Sequence, residues 1–218
     1  MTTRFEQRNP IGAIPEGQPA RIKPVEIDEA ATAHHEAAHA TFLLILDCWE
    51  RPGNTSIWEG NDGWGGFVEA ISKDLPPIDA TMPIRWQAAA RQVWANLLVG
   101  FAGAAAESRY RGDPLDGMSI RHHWSAEKDA KIVAEFVRHF WPTQHQDTIQ
   151  TAAAEVAGQM VQFPNIWAAI EDVADFLLQH GRYRANVFEV SVIVRARIPQ
   201  NIPAPLEDMA VALIRRQS

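Results

Sequence analysis

The chain has 218 residues, a formal net charge of −7 and one cysteine, Cys48. Because it is acidic and contains no block of about five or six basic residues, it is not expected to bind nucleic acid. One cysteine cannot form an internal disulfide, and prolines interrupt the first residues, where a signal peptide would need a continuous apolar segment. The longest apolar run, residues 42–46, is far shorter than the roughly 20 residues that span a bilayer. We therefore expect a cytoplasmic protein without a membrane span.

The distribution of proline and apolar residues divides the chain into two unequal parts. Residues 1–26 combine prolines and mixed charges without hydrophobic periodicity, which predicts an extended N-terminal arm. Residues 27–218 are long enough to bury a substantial core and are predicted to form a single domain. Helical periodicity dominates this part, so we expect a mainly α fold, a multi-helix bundle with one small β-hairpin.

The most informative stretch is His-His-Glu-Ala-Ala-His at residues 34–39, inside an alanine-rich run that predicts a helix over residues 28–49. Side chains four positions apart share a helix face, so His35 and His39 can direct two imidazole nitrogens to one metal ion. Glu36 lies beside them, where its carboxylate can hold water at the metal without ligating. This H-E-x-x-H spacing is typical of zincins, in which the glutamate is the general base. Ordinary core histidines are the alternative, although they would need several buried hydrogen-bond partners.

Two strand-like runs follow the first helix, at residues 55–59 and 66–72. The turn Gly60-Asn61-Asp62-Gly63 between them predicts a β-hairpin, and Arg51-Pro52-Gly53-Asn54 is predicted to end the helix. A strand edge near the metal helix could pair with an extended peptide, or the hairpin could merely cover the helix. The residues alone favour neither role.

Apolar residues at three- and four-residue spacing predict a long core helix over residues 82–111. Residues 112–118 are predicted to be a loop, followed by a helix from an N-cap at Ser125 to residue 141. Two helices are expected within residues 143–180, separated at Pro164 and Asn165. Residues 186–198 are predicted to form a strand or a short helix, and residues 206–216 an amphipathic helix.

A zinc site needs a third protein ligand besides the two histidines. The extended motif H-E-x-x-H-x-x-G-x-x-H is excluded, because Phe42 and Ile45 occupy its glycine and third-histidine positions. The ligand must come from another part of the chain. The candidates are Glu107, Asp129, His122 and His123.

These candidates differ in their simplest structural role. Asp129 falls on the core-facing stripe of its predicted helix, where a carboxylate is costly unless paired, hydrogen-bonded or metal-bound; capping its own helix is the alternative. Glu107 can form an ion pair with Arg111 one turn away. His122 and His123 are predicted to be solvated loop residues. Orientation favours Asp129, without excluding the others.

Three segments, in order, resemble the protease domain of the FtsH-type ATP-dependent zinc metalloproteases. Residues 33–40 resemble the H-E-A-G-H-A motif of that family. Residues 103–107, Gly-Ala-Ala-Ala-Glu, resemble its G-G-R-A-A-E helix, and residues 125–129, Ser-Ala-Glu-Lys-Asp, resemble its G-A-S-N-D segment. Residues 55–70 are similar to the substrate-side strand region. The resemblance covers about residues 28–195, and the ordered set is more specific than the zinc motif alone.

The resemblance implies a zincin-like helical bundle that binds Zn²⁺ and acts as a zinc-dependent endopeptidase on flexible or unfolded polypeptides. The implied site residues are His35, His39 and Asp129 as zinc ligands, Glu36 as the catalytic base and Glu107 as a supporting carboxylate. Ala38 and Ser125 stand where the family has glycine, and no G-x-x-x-x-G-K-[ST] loop occurs in the sequence, so ATP-independent activity is expected. The alternative is a non-proteolytic zinc-binding interaction module. No residue pattern indicates a homo-oligomer or an ATPase acting in trans.

Overall fold

A computed structural model describes residues 28–46, 49–60, 63–72, 83–140, 143–180 and 185–200 of the chain. The predicted N-terminal arm and the predicted helix over residues 206–216 lie outside these described residues. Within the described ranges, no helix combines the length and the apolarity that crossing a membrane requires.

The described residues are mainly helical and contain one small antiparallel sheet, so the prediction of a mainly α fold with a hairpin is confirmed. The elements in chain order are α1 (Glu29–Ile45), β1 (Trp49–Gly60), β2 (Gly63–Ser72), α2 (Pro83–Arg111), α3 (Gly117–Arg121), a 3-10 turn (Trp124–Ala126), α4 (Glu127–Phe140), α5 (Thr143–Val161), α6 (Pro164–His180) and α7 (Val187–Arg197).

Helix α1 begins close to the predicted start at residue 28, where Asp28 is the N-cap and its Oδ1 accepts a hydrogen bond from the Ala31 backbone N–H at 2.5 Å. Apolar residues surround the helix, and nearly all of its side chains are buried. It ends at Ile45, earlier than the predicted end at residue 49. Trp49 instead begins β1 and pairs with Ser72, in keeping with the preference of aromatic residues for strands.

The hairpin forms where it was predicted, with Ile57 opposite Gly66 and Gly60 opposite Gly63. Its first strand is longer than expected, because β1 runs through residues 51–54, which were predicted only to end the helix. The ladder accommodates this proline- and glycine-containing segment through register shifts on both sides of it.

Helix α1 packs against α2 and α6, and α2 also packs against α4 and α5. Where α1 meets α2, the alanines at 37 and 38 and at 104–106 are fully buried. Small side chains let the two helix axes approach closely. Gly100 does the same for α4, because a Cβ at this position would overlap the side chain of Val133. Helix α1, which carries His35 and His39, and helix α4, which carries Asp129, thus both pack against α2.

The connection between α2 and α4 is more structured than predicted. The predicted loop at residues 112–118 contains the start of α3, which Asp116 caps by accepting hydrogen bonds from the backbone N–H groups of Met118 and Ser119. The predicted N-cap at Ser125 was wrong, since His123 is the N-cap residue of the 3-10 turn that contains Ser125.

The C-terminal half follows the predicted helices, with one ambiguity resolved. Helices α5 and α6 form within residues 143–180, although Pro164 is the first residue of α6, where its missing N–H costs nothing. Residues 187–197 form a helix, not a strand. Asn186 and Glu189 make a capping box at its start, and this local hydrogen bonding outweighs the β-branched composition.

Candidate metal centre

His35 and His39 lie one turn apart on α1 and converge on one point. Their Nε2 atoms are 3.1 Å apart. Both side chains are buried against α2, with each residue 9% exposed. The i to i+4 spacing of the sequence thus brings two imidazole nitrogens together, as the helical geometry requires.

Asp129, in the first turns of α4, completes a group of three converging ligand atoms. Its Oδ2 lies 3.3 Å from His35 Nε2 and 3.4 Å from His39 Nε2. Four ligands at the usual zinc bond lengths of about 2.0–2.1 Å would lie about 3.3–3.4 Å from one another in a tetrahedron. The three atoms therefore have the mutual spacing of one tetrahedral face. Among the described residues, His35, His39 and Asp129 are the group that could hold a metal ion.

The outer nitrogens of both imidazoles have hydrogen-bond partners that fix the rings. His39 Nδ1–H donates to the carbonyl oxygen of Val99 at 2.8 Å, and His35 Nδ1 lies 3.4 Å from Glu107 Oε2. With Nδ1 acting as the donor in each ring, the Nε2 lone pairs face the shared point. This is the usual arrangement for metal-binding histidines.

Gly103 on α2 provides the space in which these nitrogens meet. A Cβ at this position would lie 2.5 Å from His39 Nε2 and closer still to His35 Nε2. Real Cβ contacts are never this short, so only glycine fits without displacing the rings. In the sequence, this glycine is notable only as the first residue of the segment that resembles G-G-R-A-A-E.

The electrostatics of the group favour a cation between the three side chains. Burial lowers the pKa of His35, but hydrogen bonds to Asp129 and Glu107 outweigh it, and the pKa is raised well above 6.5. Burial also raises the pKa of Asp129, yet the charge and hydrogen bonds of His39 and His35 reverse this and lower it. A proton or a metal ion can satisfy this demand for positive charge.

Glu36 lies on the side of α1 that faces the hairpin, next to the ligand group. Its side chain packs on the backbone of Gly66 in β2, where a Cβ would lie 2.6 Å from the carboxyl carbon. Burial raises the pKa of Glu36, although the nearby His35 and His39 act in the opposite direction. Glu36 is thus a buried carboxyl group beside the candidate metal position and outside its ligand set.

Glu107 forms the predicted ion pair with Arg111 and faces His35, but it is not in the group of three converging ligands. Its Oε1 accepts a hydrogen bond from Arg111 Nε at 2.9 Å, which is the predicted ion pair, and its Oε2 faces His35 Nδ1. Burial raises the pKa of Glu107, but the hydrogen bond and charge of His35 outweigh it and lower the pKa to about 2. Glu107 therefore contacts the His35 ring at Nδ1, whereas the Nε2 of the same ring faces the candidate metal position.

The neighbouring histidines are not in the ligand group. His122 is the C-cap residue of α3. His123 was predicted to be solvated, which is wrong: its side chain is only 10% exposed, and its Nδ1 lies 2.7 Å from Ser125 Oγ. The 3-10 turn that follows His123 folds the ring inward, a local geometry that the histidine pair itself did not signal.

No protein-family model matches this chain, and no curated protein matches its sequence. The geometry of the three candidate ligand atoms and of Glu36 is therefore the basis for proposing a function.

Proposed function

We propose that this protein is a zinc-dependent endopeptidase that hydrolyses peptide bonds in flexible or unfolded polypeptides. The observation that carries the proposal is the spacing of His35 Nε2, His39 Nε2 and Asp129 Oδ2, at 3.1 to 3.4 Å from one another, with a non-ligating carboxyl group beside them. A site of this kind leaves a fourth tetrahedral position for water or substrate.

The donor set supports zinc over Mg²⁺ and Ca²⁺. Two neutral imidazoles and one carboxylate form a borderline-soft set that suits Zn²⁺, whereas Mg²⁺ and Ca²⁺ prefer oxygen ligands alone. Bound there, zinc would lower the pKa of a water molecule toward about 7 and polarise the substrate carbonyl. Asp129 and the two imidazoles would hold the ion, while the Val99 carbonyl and Glu107 fix the orientation of the rings.

Glu36 is assigned the general-base role. Its carboxylate takes the proton of the attacking water and then delivers it to the amine that leaves when the peptide bond breaks. The burial that raises its pKa from the usual value strengthens it as a base. Because Gly66 confines the side chain on the hairpin side, the carboxylate is kept near the ligand group.

The hairpin beside Glu36 is a reason to propose an extended polypeptide as the substrate. The outer edge of β1 is bridged at Thr55, which exchanges two backbone hydrogen bonds with Ala185, whereas β2 pairs only with β1 among the described strands. A free strand edge can bind an extended polypeptide through backbone hydrogen bonds. Flexible or unfolded segments adopt that conformation more readily than folded ones.

The test compares wild type with Glu36→Gln for zinc content and for cleavage of casein or a fluorogenic peptide library. We expect the variant to keep zinc and to lose about 100-fold or more of the cleavage rate, the contribution of a positioned base. Glu135→Gln, an exposed change on α4, is the matched control and should behave as wild type.

Each other result has a definite meaning. Zinc binding without any Glu36-dependent cleavage would contradict the endopeptidase and favour a non-proteolytic interaction module. A wild-type protein that binds no zinc, and gains no thermal stability when zinc is added, would favour ordinary core histidines at 35 and 39.

A further inference from the structure

Helix α7 carries an apolar stripe that lies exposed among the described residues. The stripe, called the α7 stripe below, consists of Phe188, Val192 and Ala196, which are one turn apart on one side of the helix. Phe188 is 71% exposed and Val192 is 55% exposed, whereas Val190 and Val194 on the other side are buried. A helix that is apolar on nearly all sides is normally buried on all sides, so the α7 stripe is expected to have a partner.

The C-terminal segment, residues 206–216, has the sequence of a helix that could cover this stripe. It is as long as α7, which has 11 residues. A helix of this length is only marginally stable alone in water and needs an apolar surface to pack on. Its apolar residues recur at three- and four-residue spacing and therefore share one side of the predicted helix: Leu206, Met209, Ala210, Leu213 and Ile214.

The connection between α7 and the C-terminal segment favours an antiparallel arrangement. Residues 198–205 lie between them, and Pro199 and Pro203 keep this stretch from continuing the helix. Loops of about 2–8 residues commonly join helices that pack side by side. After such a reversal, the start of the segment lies beside the end of α7, and the end of the segment lies beside Phe188.

The charges of the two elements are complementary in this arrangement. Helix α7 has Glu189 in its first turn and two arginines in its last turn, one of which also pairs with Asp172. The segment has the reverse order, with an acidic pair at residues 207–208 and a basic pair at residues 215–216. Antiparallel packing therefore brings opposite charges together at both ends, whereas parallel packing would bring like charges together.

We infer that the C-terminal segment forms a helix that packs antiparallel on the α7 stripe. The pairing buries two apolar surfaces that would otherwise face water. It also covers the outer side of the helix whose Arg195 binds the carbonyl oxygen of Leu44 at the end of α1. The inference depends neither on zinc nor on peptide cleavage, so its outcome is independent of the proposed function.

The experiment measures hydrogen exchange of the full chain by mass spectrometry, in peptides that cover residues 206–216 and α7. We expect the wild-type segment to exchange at least about 10-fold more slowly than an unstructured peptide of the same sequence. Phe188→Asp and Val192→Asp should each remove this protection, because burying an unpaired carboxylate is costly. Phe163→Asp is the matched control, since it changes a 55% exposed aromatic residue between α5 and α6, and it should keep the protection.

A second pair of variants places the charge in the segment itself, and so decides the outcome even if aspartate disrupts α7. Leu213→Asp lies in the apolar stripe of the segment and should also remove the protection of residues 206–216. Val211→Asp introduces the same side chain on the other side of the predicted helix and should keep the protection.

Three results would overturn the inference. The first is rapid exchange throughout residues 206–216 of the wild type. The second is protection that Phe188→Asp and Val192→Asp leave unchanged, because the segment would then pack on a different surface. The third is protection that disappears on dilution, together with a dimer in analytical ultracentrifugation, which would assign the α7 stripe to a second copy of the chain.

Discussion

Gly65 and Gly66 are adjacent in β2 but face different side chains. Substitutions at the two positions therefore distinguish an effect on the position of Glu36 from an effect on the stability of the hairpin. A Cβ at Gly66 would lie 2.6 Å from the carboxyl carbon of Glu36, whereas a Cβ at Gly65 would lie 3.4 Å from Trp58, an ordinary packing distance. The position of the proposed base therefore depends on a single missing methyl group on the opposite element.

We expect Gly66→Ala to keep zinc and to reduce peptide cleavage by about 100-fold, because displacing a catalytic group by about 1 Å can have an effect of that size. Gly65→Ala is the matched control and should cleave as wild type does. Cleavage rates and zinc content of the two variants check the prediction. Equal activity in both would show that the position of Glu36 relative to β2 does not matter.

Gly103 leaves space for the His35 and His39 rings, just as Gly66 leaves space for Glu36. We expect Gly103→Ala to lose zinc on dialysis, because a Cβ 2.5 Å from His39 Nε2 forces the rings apart. Gly158→Ala is the control, because a Cβ there would meet the Leu115 carbonyl oxygen and lie 2.5 Å from Ile120 Cδ1, and none of its nearest atoms belongs to a candidate ligand. The control should lose about 1–3 kcal/mol of stability through overpacking yet keep its zinc. Retention of full zinc binding by Gly103→Ala would contradict the proposed metal position.

Among the elements, the helices were easier to predict than the segments between them. Apolar periodicity located α2, α5 and α6, and the alanine-rich run located α1, because these patterns are visible in the sequence. The connection from α2 to α4 was not predicted, because α3 and the 3-10 turn depend on local hydrogen bonds that the side chains of Asp116 and His123 accept. Such local bonds leave no periodic signal.

The candidate site also has a part that the sequence predicted and a part that it did not. The i to i+4 spacing of His35 and His39 was enough to predict that their nitrogens meet. Asp129 is 94 residues from His35, and from the residues alone it remained one of several third-ligand candidates. The Val99 carbonyl could not be foreseen, because a backbone acceptor acquires its role only when tertiary packing brings it near.

Helix α7 provides a test of local capping against composition. Asn186→Ala should lower the free energy of unfolding by about 1 kcal/mol, since it removes the side chain that accepts from the first turn. Asn186→Asp keeps an acceptor and should remain close to wild type. Urea denaturation followed by circular dichroism measures both. No difference between the two variants would mean that packing of Val190 and Val194, not the cap, determines the helix.

For the whole molecule, the ligand group joins α1 to α4 and links the stability of the fold to metal and to pH. The raised pKa of His35 means that, without metal, its proton adds stability that is fully present below pH 6.5 and is lost as the pH rises through the raised value. A metal ion at the proposed site would take the place of that proton. Zinc at about 100 times its dissociation constant adds about 2.7 kcal/mol.

We therefore expect chelator-treated protein to lose stability as the pH rises above 6.5, and zinc to restore it. Chemical unfolding at a series of pH values, with chelator and with zinc, measures both curves. In His35→Gln, the loss above pH 6.5 should be smaller than in wild type, and zinc should add little. A chelator-treated wild type whose unfolding free energy does not vary in this range would contradict the assignment.

The hydrogen bond from Arg195 to the carbonyl oxygen of Leu44, at 2.9 Å, joins α7 to the end of the metal helix across 151 residues. On the ribosome, α1 leaves the exit tunnel long before α7 is synthesised, so this contact cannot form until residue 195 has been added to the chain. Contacts between distant parts of a chain also slow folding. The C-terminal end of α1 is thus expected to reach its final packing only after residue 195 has been synthesised.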